Sequence, residues 1–233
     1  KEAITFRHAL QMRSGLDPHD PENIYWQHNQ LSYSLYRDVA QAPGGTWHYQ
    51  NSDSMLVSHA LESALGRDLD DYAQEVLFGP IGMRGHWWTD AEDNTLGYCC
   101  IDATPRDFAR FGLLFERGGQ WDGQQVVSTA WVAQSTLPVA DDMPYALHWW
   151  SFEEGGYYAA IGALGQSIWV FPFYDLLVLR NSYYTKRGDP ESYRAHGANY
   201  HDTPEQSGWD DGEFLGLVFD AVKDYTPDST NSD

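Results

Sequence analysis

Apolar residues recur at helical spacing along much of the first 137 residues. The clearest helix start is Thr104-Pro105-Arg106-Asp107, with a Thr cap, a Pro in the first turn and an Asp at the third position. Gly118-Gly119 ends that helix. The pattern predicts helices over residues 6–13, 31–39, 52–65, 68–78, 105–117 and 129–135.

Past Pro138 the periodicity changes to short aromatic and β-branched runs separated by Gly, Pro and acidic turns. These runs predict an antiparallel meander, and residues 213–222 predict a closing helix. The polar residues 181–211, with His196 and His201, are either a lid or a solvated loop. The predicted strands are residues 145–150, 156–161, 167–171 and 176–180.

A Pro-Gly-Gly turn at residues 43–45 leads into an aromatic run that ends at the mouth of the third predicted helix. Asn51 or Ser52 is expected to cap that helix, with Tyr49 just outside it. A phenol on a rigid turn beside a helix start can relay protons. The alternative is that Tyr49 fills a gap and Asn51 is only a cap.

Two glycines frame a second candidate stretch, residues 162–166. On a strand edge, such a stretch leaves backbone N–H groups uncrowded, so it can supply an oxyanion-hole donor or pair with an extended substrate. The alternative is a glycine-flanked bend between two strands.

The formal net charge of −20 disfavours binding to nucleic acid and to anionic membrane surfaces. No run is long and apolar enough to span a membrane. The two cysteines, Cys99 and Cys100, are adjacent, and we expect free thiols with structural roles. Two thiols alone do not make a metal site, and we expect neither a metal nor an organic cofactor.

Five segments, taken in chain order, resemble the serine β-lactamase-like hydrolases. That group includes class C β-lactamases, DD-peptidases, family VIII esterases and 6-aminohexanoate-dimer hydrolases. Residues 43–51 resemble its Tyr-x-Asn motif, and residues 162–172 resemble its third motif strand. The other three segments are residues 4–16, 77–83 and 103–112.

The resemblance implies an α+β fold of the β-lactamase/transpeptidase type, with an antiparallel sheet flanked by helices. Residues 1–137 would be a helical region carrying the Tyr-x-Asn motif. Residues 138–233 would be the C-terminal part of the sheet domain, with the third-motif strand and the closing helix. The first strands and the nucleophile helix would come from outside this chain.

The resemblance also implies acyl transfer to a serine, with a small-molecule amide or ester as substrate. Tyr49 would move protons, and the backbone N–H of Ala163 would help to bind the oxyanion. The implied substrate-binding residues are Asn51, Trp150, Gly162, Leu164, Gly165 and Gln166.

The family's nucleophile and base lie in a Ser-x-x-Lys motif, which residues 1–233 lack. The lysines are Lys1, Lys186 and Lys223, and Tyr183 and Asp220 stand three residues before the latter two. We therefore expect a second chain or an N-terminal fragment to carry Ser-x-x-Lys. The alternative is a non-catalytic protein that binds a peptide-like ligand on the same scaffold.

Many members carry a Lys or His in the third motif, where this chain has Ala163 and Leu164. This difference argues against recognition of a substrate carboxylate, and hence against β-lactam or D-Ala-D-Ala specificity. The sequence leaves the compartment open, and we favour the periplasm or secretion over the cytoplasm.

Overall fold

The computed structural model describes residues 1–18, 21–138, 143–182 and 210–222. His196 and His201, together with most of the predicted polar stretch, lie outside these described residues. Within the described ranges, no helix has the length and apolar character needed to cross a membrane. The helices are α1 (Phe6–Leu10), α2 (Gln30–Tyr36), α3 (Asn51–Leu65), α4 (Leu69–Ala73), α5 (Pro105–Glu116), α6 (Thr129–Thr136) and α7 (Asp211–Ala221).

Helix α5 begins as its sequence predicts. The Thr104 side chain accepts from the Asp107 N–H while the Asp107 carboxylate accepts from the Thr104 N–H, which closes a capping box. At the other end, Gly118 and Gly119 adopt positive φ angles of 61° and 84°. Glycine adopts this conformation without steric cost, so the chain leaves the helix there.

A four-stranded antiparallel sheet in the order β5-β6-β7-β8 follows the helical region. Each strand pairs with the next along the chain, which confirms the predicted meander. Two smaller two-stranded sheets precede it. The strands are β1 (Gly85–Trp87), β2 (Ile101–Ala103), β3 (Gln120–Trp121), β4 (Gln124–Gln125), β5 (Trp150–Phe152), β6 (Tyr157–Gly162), β7 (Gln166–Phe171) and β8 (Leu176–Arg180).

Strand β7 is central and buried on both faces. Ile168 and Val170 join a core with α5, α6 and Trp149. Trp169 and Phe171 point to the other face, where they meet the apolar residues of α7. The sheet therefore lies between helices on both faces. The division at residue 137 remains a prediction, since α5 from the first region packs on β7 and β8.

Two strand predictions are wrong in detail. Residues 145–149 do not form a strand; Tyr145 makes an isolated bridge to Trp150 across a tight turn, in which the Ala146 N–H donates to the Trp149 carbonyl. His148 adopts a φ of 64° there, which an extended strand does not allow. The predicted strands also omit residues 85–87, which form β1 and pair with β2.

The prediction of free thiols is also wrong: Cys99 and Cys100 are joined by a disulfide. Their Cα atoms are 3.7 Å apart, shorter than most disulfides span. Cys100 adopts a left-handed backbone conformation with φ of 73°, in which the sulfur atoms of the two adjacent residues meet. Sequence spacing alone gave no reason to expect this conformation at a non-glycine residue.

The approach of α5 to the sheet depends on Gly112. A Cβ atom at this position would lie 2.5 Å from Leu177 Cδ1 and 2.8 Å from Ile168 Cγ2. We expect Gly112→Ala to lower the free energy of unfolding, because overpacking of this kind costs about 1–3 kcal/mol. Alanine recovers only about 1 kcal/mol of that through its higher helix propensity. Chemical denaturation of the intact protein measures the change.

Gly216→Ala in α7 is the matched control, because nothing lies within 4 Å of its added Cβ atom. We expect this variant to keep or raise the free energy of unfolding, by up to about 1 kcal/mol. Equal destabilisation by the two substitutions would contradict the packing argument.

Candidate active site

The turn that carries Tyr49 is held by the segment after α1. The His48 N–H donates to the Met12 carbonyl at 3.0 Å, and the Gly44 N–H donates to the Arg13 carbonyl at 2.8 Å. The Arg13 guanidinium returns a bond to the Gly45 carbonyl at 2.7 Å. These bonds cross more than thirty residues of sequence, so the backbone leading to Tyr49 is fixed by tertiary contacts.

The first turn of α3 is polar and buried. Its N-cap is Gln50, which makes no side-chain cap bond, so the predicted capping role of Asn51 or Ser52 is wrong. The Gln50 amide instead donates to the Leu16 carbonyl at 3.3 Å. Because residues 12–16 cover this end of α3, Gln50 and Asp53 lie in the interior rather than at a solvated helix start.

Tyr49 belongs to an aromatic cluster formed by Trp47, Tyr49, Tyr145 and Trp150. Its ring stacks on Trp150 at 6.3 Å with an interplanar angle of 17°. Tyr145 meets both rings edge-on and is buried. Tyr49 itself remains 44% exposed, although the rings around it raise the pKa of its hydroxyl by burial. The cluster joins the α3 turn to strand β5.

Asp53 lies one helical turn beyond Tyr49 and is fully buried. Burial raises the pKa of its carboxyl to about 7, despite hydrogen bonds from Ser14 and the charge of Arg37. Its Oδ2 accepts from the Ser14 N–H at 3.4 Å, while its Oδ1 lacks a partner among the described residues. The Asp53 carboxyl therefore titrates near neutral pH. The pKa of the Tyr145 hydroxyl is raised by burial, by Tyr49 and by Asp53.

Ser54 of α3 and His148 form a Ser–His pair, in which Ser54 is buried and His148 is half-buried. Ser54 Oγ is 3.3 Å from His148 Nε2, and the His148 ring also hydrogen-bonds to the backbone of Ala9. Burial lowers the pKa of His148 to about 4, so the imidazole is neutral at pH 7. Because the His148 N–H also donates to the Leu10 carbonyl, this residue ties α1 to α3. Burial of Ser54 keeps it from acting as a surface nucleophile.

The Asn51 amide points away from the aromatic cluster towards the segment before α2. Its Nδ2 donates to the Tyr25 hydroxyl at 2.7 Å. Tyr25 packs on Tyr98, whose hydroxyl donates to Gln30 Oε1 at 2.6 Å. Asn51 is thus fixed by a second set of aromatic contacts.

Residues 162–166 form the tip of the β6–β7 hairpin rather than a free strand edge. Gly162 pairs with Gln166, and Ala163–Gly165 make a single helical turn between them. Gly165 has a φ of 73°, and the side chain of Arg180 fills the space where a Cβ atom would lie. The Arg180 guanidinium donates to the Gly165 carbonyl at 2.8 Å. The side chain of Leu164 lies outside the described residues.

Gln166 uses its amide within the protein. It donates to the Ser182 carbonyl at 2.7 Å and accepts from the Ser182 N–H at 3.1 Å. The structure thus brings Tyr49 and Trp150 together, whereas the Asn51 side chain bonds to Tyr25. Ala163 and Gly162 are exposed on the same sheet, at the hairpin tip beyond the Trp150–Ala159 pair.

Sequence reasoning missed Asp53, Tyr145 and Tyr25. An acidic residue in a first helical turn normally interacts with the helix dipole at the surface, so Asp53 carried no signal of burial. The spacing of Tyr49 and Asp53, four residues apart across a helix start, was the available hint. Tyr25 and Tyr145 are distant in sequence and are brought in by tertiary contacts.

Two surface concavities of about 400 and 450 Å³ lie elsewhere, one along α2 and one beside Pro172. Tyr49 lines neither of them. Among the residues that the structure describes, no group of His, Cys, Asp and Glu side chains could hold a metal ion.

Comparison with known proteins decides the family. The sequence model of the family described as Beta-lactamase matches residues 1–203. This chain belongs to the beta-lactamase family. The predicted resemblance is confirmed, and the antiparallel sheet with its helices is a β-lactamase/transpeptidase-like fold.

Solved structures show the same beta-lactamase fold at low sequence identity. A protein of Bacillus anthracis described as a 6-aminohexanoate-dimer hydrolase matches with a TM-score of 0.71 and 16% identity over 97% of this chain. A Bacteroides dorei beta-lactamase matches at 0.60 with 18% identity over 79% of this chain and 67% of its own. A penicillin-binding protein of Bacillus halodurans matches at 0.52 with 18% identity, covering 71% of this chain and 64% of its own.

This chain spans 63% of the length of the Bacillus anthracis hydrolase. The beta-lactamase-family fold is therefore shown, while the activity of the whole protein is a matter for proposal.

The buried carboxyl of Asp53 predicts a pH dependence of stability. Its pKa is about 7 in the native state against a reference value of 3.8. Between about pH 4 and 7, the native state keeps a proton that the unfolded chain has lost, so stability falls as pH rises. We expect Asp53→Asn to gain stability relative to the parent across this window, by at most about 4 kcal/mol. Denaturant titrations at several pH values measure this difference.

Two other groups with shifted pKa values contribute to the pH dependence in both proteins, and their effects cancel in the difference. The pKa of Glu116 is raised to about 7 by burial and by Asp175, and burial lowers that of His148 to about 4. Asp122→Asn, the same change at an exposed turn, controls for the loss of one negative charge. Parallel stability curves for Asp53→Asn and the parent would refute the assignment.

Proposed function

We propose that this chain contributes the proton-relay and oxyanion elements of a serine hydrolase that works through an acyl-enzyme. The nucleophilic Ser and its Lys would come from an N-terminal segment or chain outside these 233 residues. The observation that carries the proposal is the placement of Tyr49. Tyr49 lies on a turn that is held by hydrogen bonds to Met12 and Arg13. Its side chain is 44% exposed, and its ring stacks on Trp150 of β5.

Tyr49 would accept the proton of the attacking serine and pass it to the leaving group. Burial raises the pKa of its hydroxyl, which opposes formation of a phenolate at neutral pH. The ammonium of the incoming Lys would lower that pKa by direct charge interaction. The nucleophile and the charge that activates Tyr49 would therefore arrive on the same segment.

The backbone N–H of Ala163 would stabilise the oxyanion together with that of the serine. Support comes from the exposure of Gly162 and Ala163 at the hairpin tip, while the side chain of Arg180 packs against Gly165 and supports the turn. The acyl-enzyme would then be released by water, without a metal or an organic cofactor.

The substrate would be a small molecule with an amide or ester bond. Ala163 and Leu164 stand where a carboxylate-binding Lys or His is found in many members, which favours a substrate without a carboxylate at that position. The similarity to a protein described as a 6-aminohexanoate-dimer hydrolase supports a linear amide as the first compound to test.

A binding protein on the same scaffold is the second candidate, and the lack of Ser-x-x-Lys in residues 1–233 favours it. The N-terminal sequence of the intact gene product separates the two proposals. Ser-x-x-Lys upstream supports the hydrolase, and a substituted serine supports the binding protein.

Tyr49→Phe in the intact protein tests the relay. We expect turnover of a p-nitrophenyl ester and of a linear amide to fall by orders of magnitude, because the hydroxyl carries the proton in the rate-determining steps. The free energy of unfolding should change little, since the aromatic stacking is retained. Tyr36→Phe, on an exposed face of α2, is the matched control and should keep full turnover. Undiminished turnover in Tyr49→Phe would exclude the proposed relay.

Isolated residues 1–233 provide a second test. Strands β5 and β8 are the two edges of the sheet, and α7 exposes Leu217 to 63%. We expect association or aggregation in solution and no hydrolysis, because open strand edges and exposed apolar surface recruit other chains. Adding the segment that carries Ser-x-x-Lys should restore both a defined size and activity. A monomer with full hydrolase activity would place the nucleophile within these residues and overturn the mechanism.

A further inference from the structure

The disulfide between Cys99 and Cys100 is poorly suited to a purely structural role. A disulfide stabilises a protein mainly by closing a loop in the unfolded chain, and this effect is smallest when the two cysteines are adjacent. The pair lies in the segment that leads into β2, with Cys100 exposed and Cys99 half-buried. The exposed member is open to attack by a thiolate from solution.

Two neighbouring residues hydrogen-bond to the carbonyls of the pair. The Trp87 indole donates to the Cys99 carbonyl at 2.9 Å, and the Trp88 N–H donates to the Cys100 carbonyl at 2.9 Å. A non-glycine residue at a φ of 73° is unfavourable unless something enforces it. Once the sulfurs separate, Cys100 is free to leave this conformation and disturb both bonds.

The disulfide is also connected to the candidate active site. Cys99 packs against the core cluster that contains Met55 of α3. The residue before it, Tyr98, hydrogen-bonds to Gln30 and packs on Tyr25 at 5.6 Å. Tyr25 in turn accepts the hydrogen bond of Asn51. Tyr98 and Tyr25 therefore form a continuous set of contacts between the disulfide and Asn51.

We propose that Cys99 and Cys100 form a reversible redox site whose reduction loosens the contacts of Tyr98 with Tyr25 and Gln30. The reductant would be a dithiol. Its thiolate attacks the sulfur of Cys100, the S–S bond breaks, and Cys99 leaves as a thiolate that takes up a proton. The second thiol of the reductant then displaces Cys100, so two electrons and two protons pass to the pair and the dithiol becomes a disulfide.

Alkylation of the folded intact protein with iodoacetamide, followed by mass spectrometry, tests the chemical step. We expect no label on these cysteines before treatment with dithiothreitol, and one label on each afterwards. Removal of the reductant and addition of oxidised glutathione should restore the unlabelled state. Labelling of the air-oxidised protein, or a disulfide that resists dithiothreitol until unfolding, would overturn the proposal.

Hydrogen exchange tests the structural step without any measurement of hydrolysis, so it is independent of the proposed activity. We expect reduction to give several-fold faster exchange in peptides covering residues 21–36 and 96–100. Peptides from β6 and β7 should be unchanged and serve as the internal control. Unchanged exchange at residues 21–36 in the reduced protein would refute the connection to Tyr25.

The variant Cys99→Ser/Cys100→Ser should exchange like the reduced protein and ignore dithiothreitol. Cys99→Ser/Cys100→Gly is a second variant, because glycine tolerates the φ of 73° without the disulfide. It should retain slower exchange than the double serine variant. If both variants exchange like the oxidised parent, the disulfide does not control this region.

Discussion

The polar first turn of α3 is buried because residues 12–16 lie across it, and this constraint shapes the whole candidate site. The segment supplies carbonyl acceptors to His48 and to the Gln50 side chain, and an N–H donor to Asp53. A helix start normally meets water, which satisfies its free N–H groups and solvates nearby acids. Here the covering segment replaces water, so the pKa of the Asp53 carboxyl is raised to about 7. The same segment fixes the backbone of the turn that carries Tyr49.

The aromatic cluster connects the Tyr49 turn to the sheet. Tyr49 stacks on Trp150 of β5, and Trp150 pairs with Ala159 of β6. Strand β6 ends at the turn that contains Ala163. The two proposed chemical groups, a phenol and a backbone N–H, thus belong to different parts of the fold but share one rigid path. Packing of aromatic rings gives such a path definite geometry at little entropic cost, because each ring has few rotatable bonds.

Local chemistry made some of this predictable. Thr104, Pro105 and Asp107 specify the start of α5 by themselves, and the alternating runs after Pro138 specify the meander. The resemblance of residues 43–51 to a Tyr-x-Asn motif identifies Tyr49 as a candidate from the sequence alone. The predictions that failed depended on tertiary contacts. Asn51 does not cap the helix and instead bonds to Tyr25, and most of the strand predicted at residues 145–150 is a turn that includes His148. The disulfide at Cys99 and Cys100 required a left-handed residue that spacing does not reveal.

Charge places a final constraint on the proposed mechanism. The chain carries a formal net charge of −20, and burial is the cause that raises the pKa of Tyr49. Both effects disfavour a phenolate, so a proton relay at Tyr49 needs a positive charge close to the hydroxyl. The lysine of a Ser-x-x-Lys segment would meet this need at the moment the nucleophile is delivered. In that arrangement the nucleophile and the activating charge would arrive on one segment, so the chain would have no hydrolase activity before that segment docks.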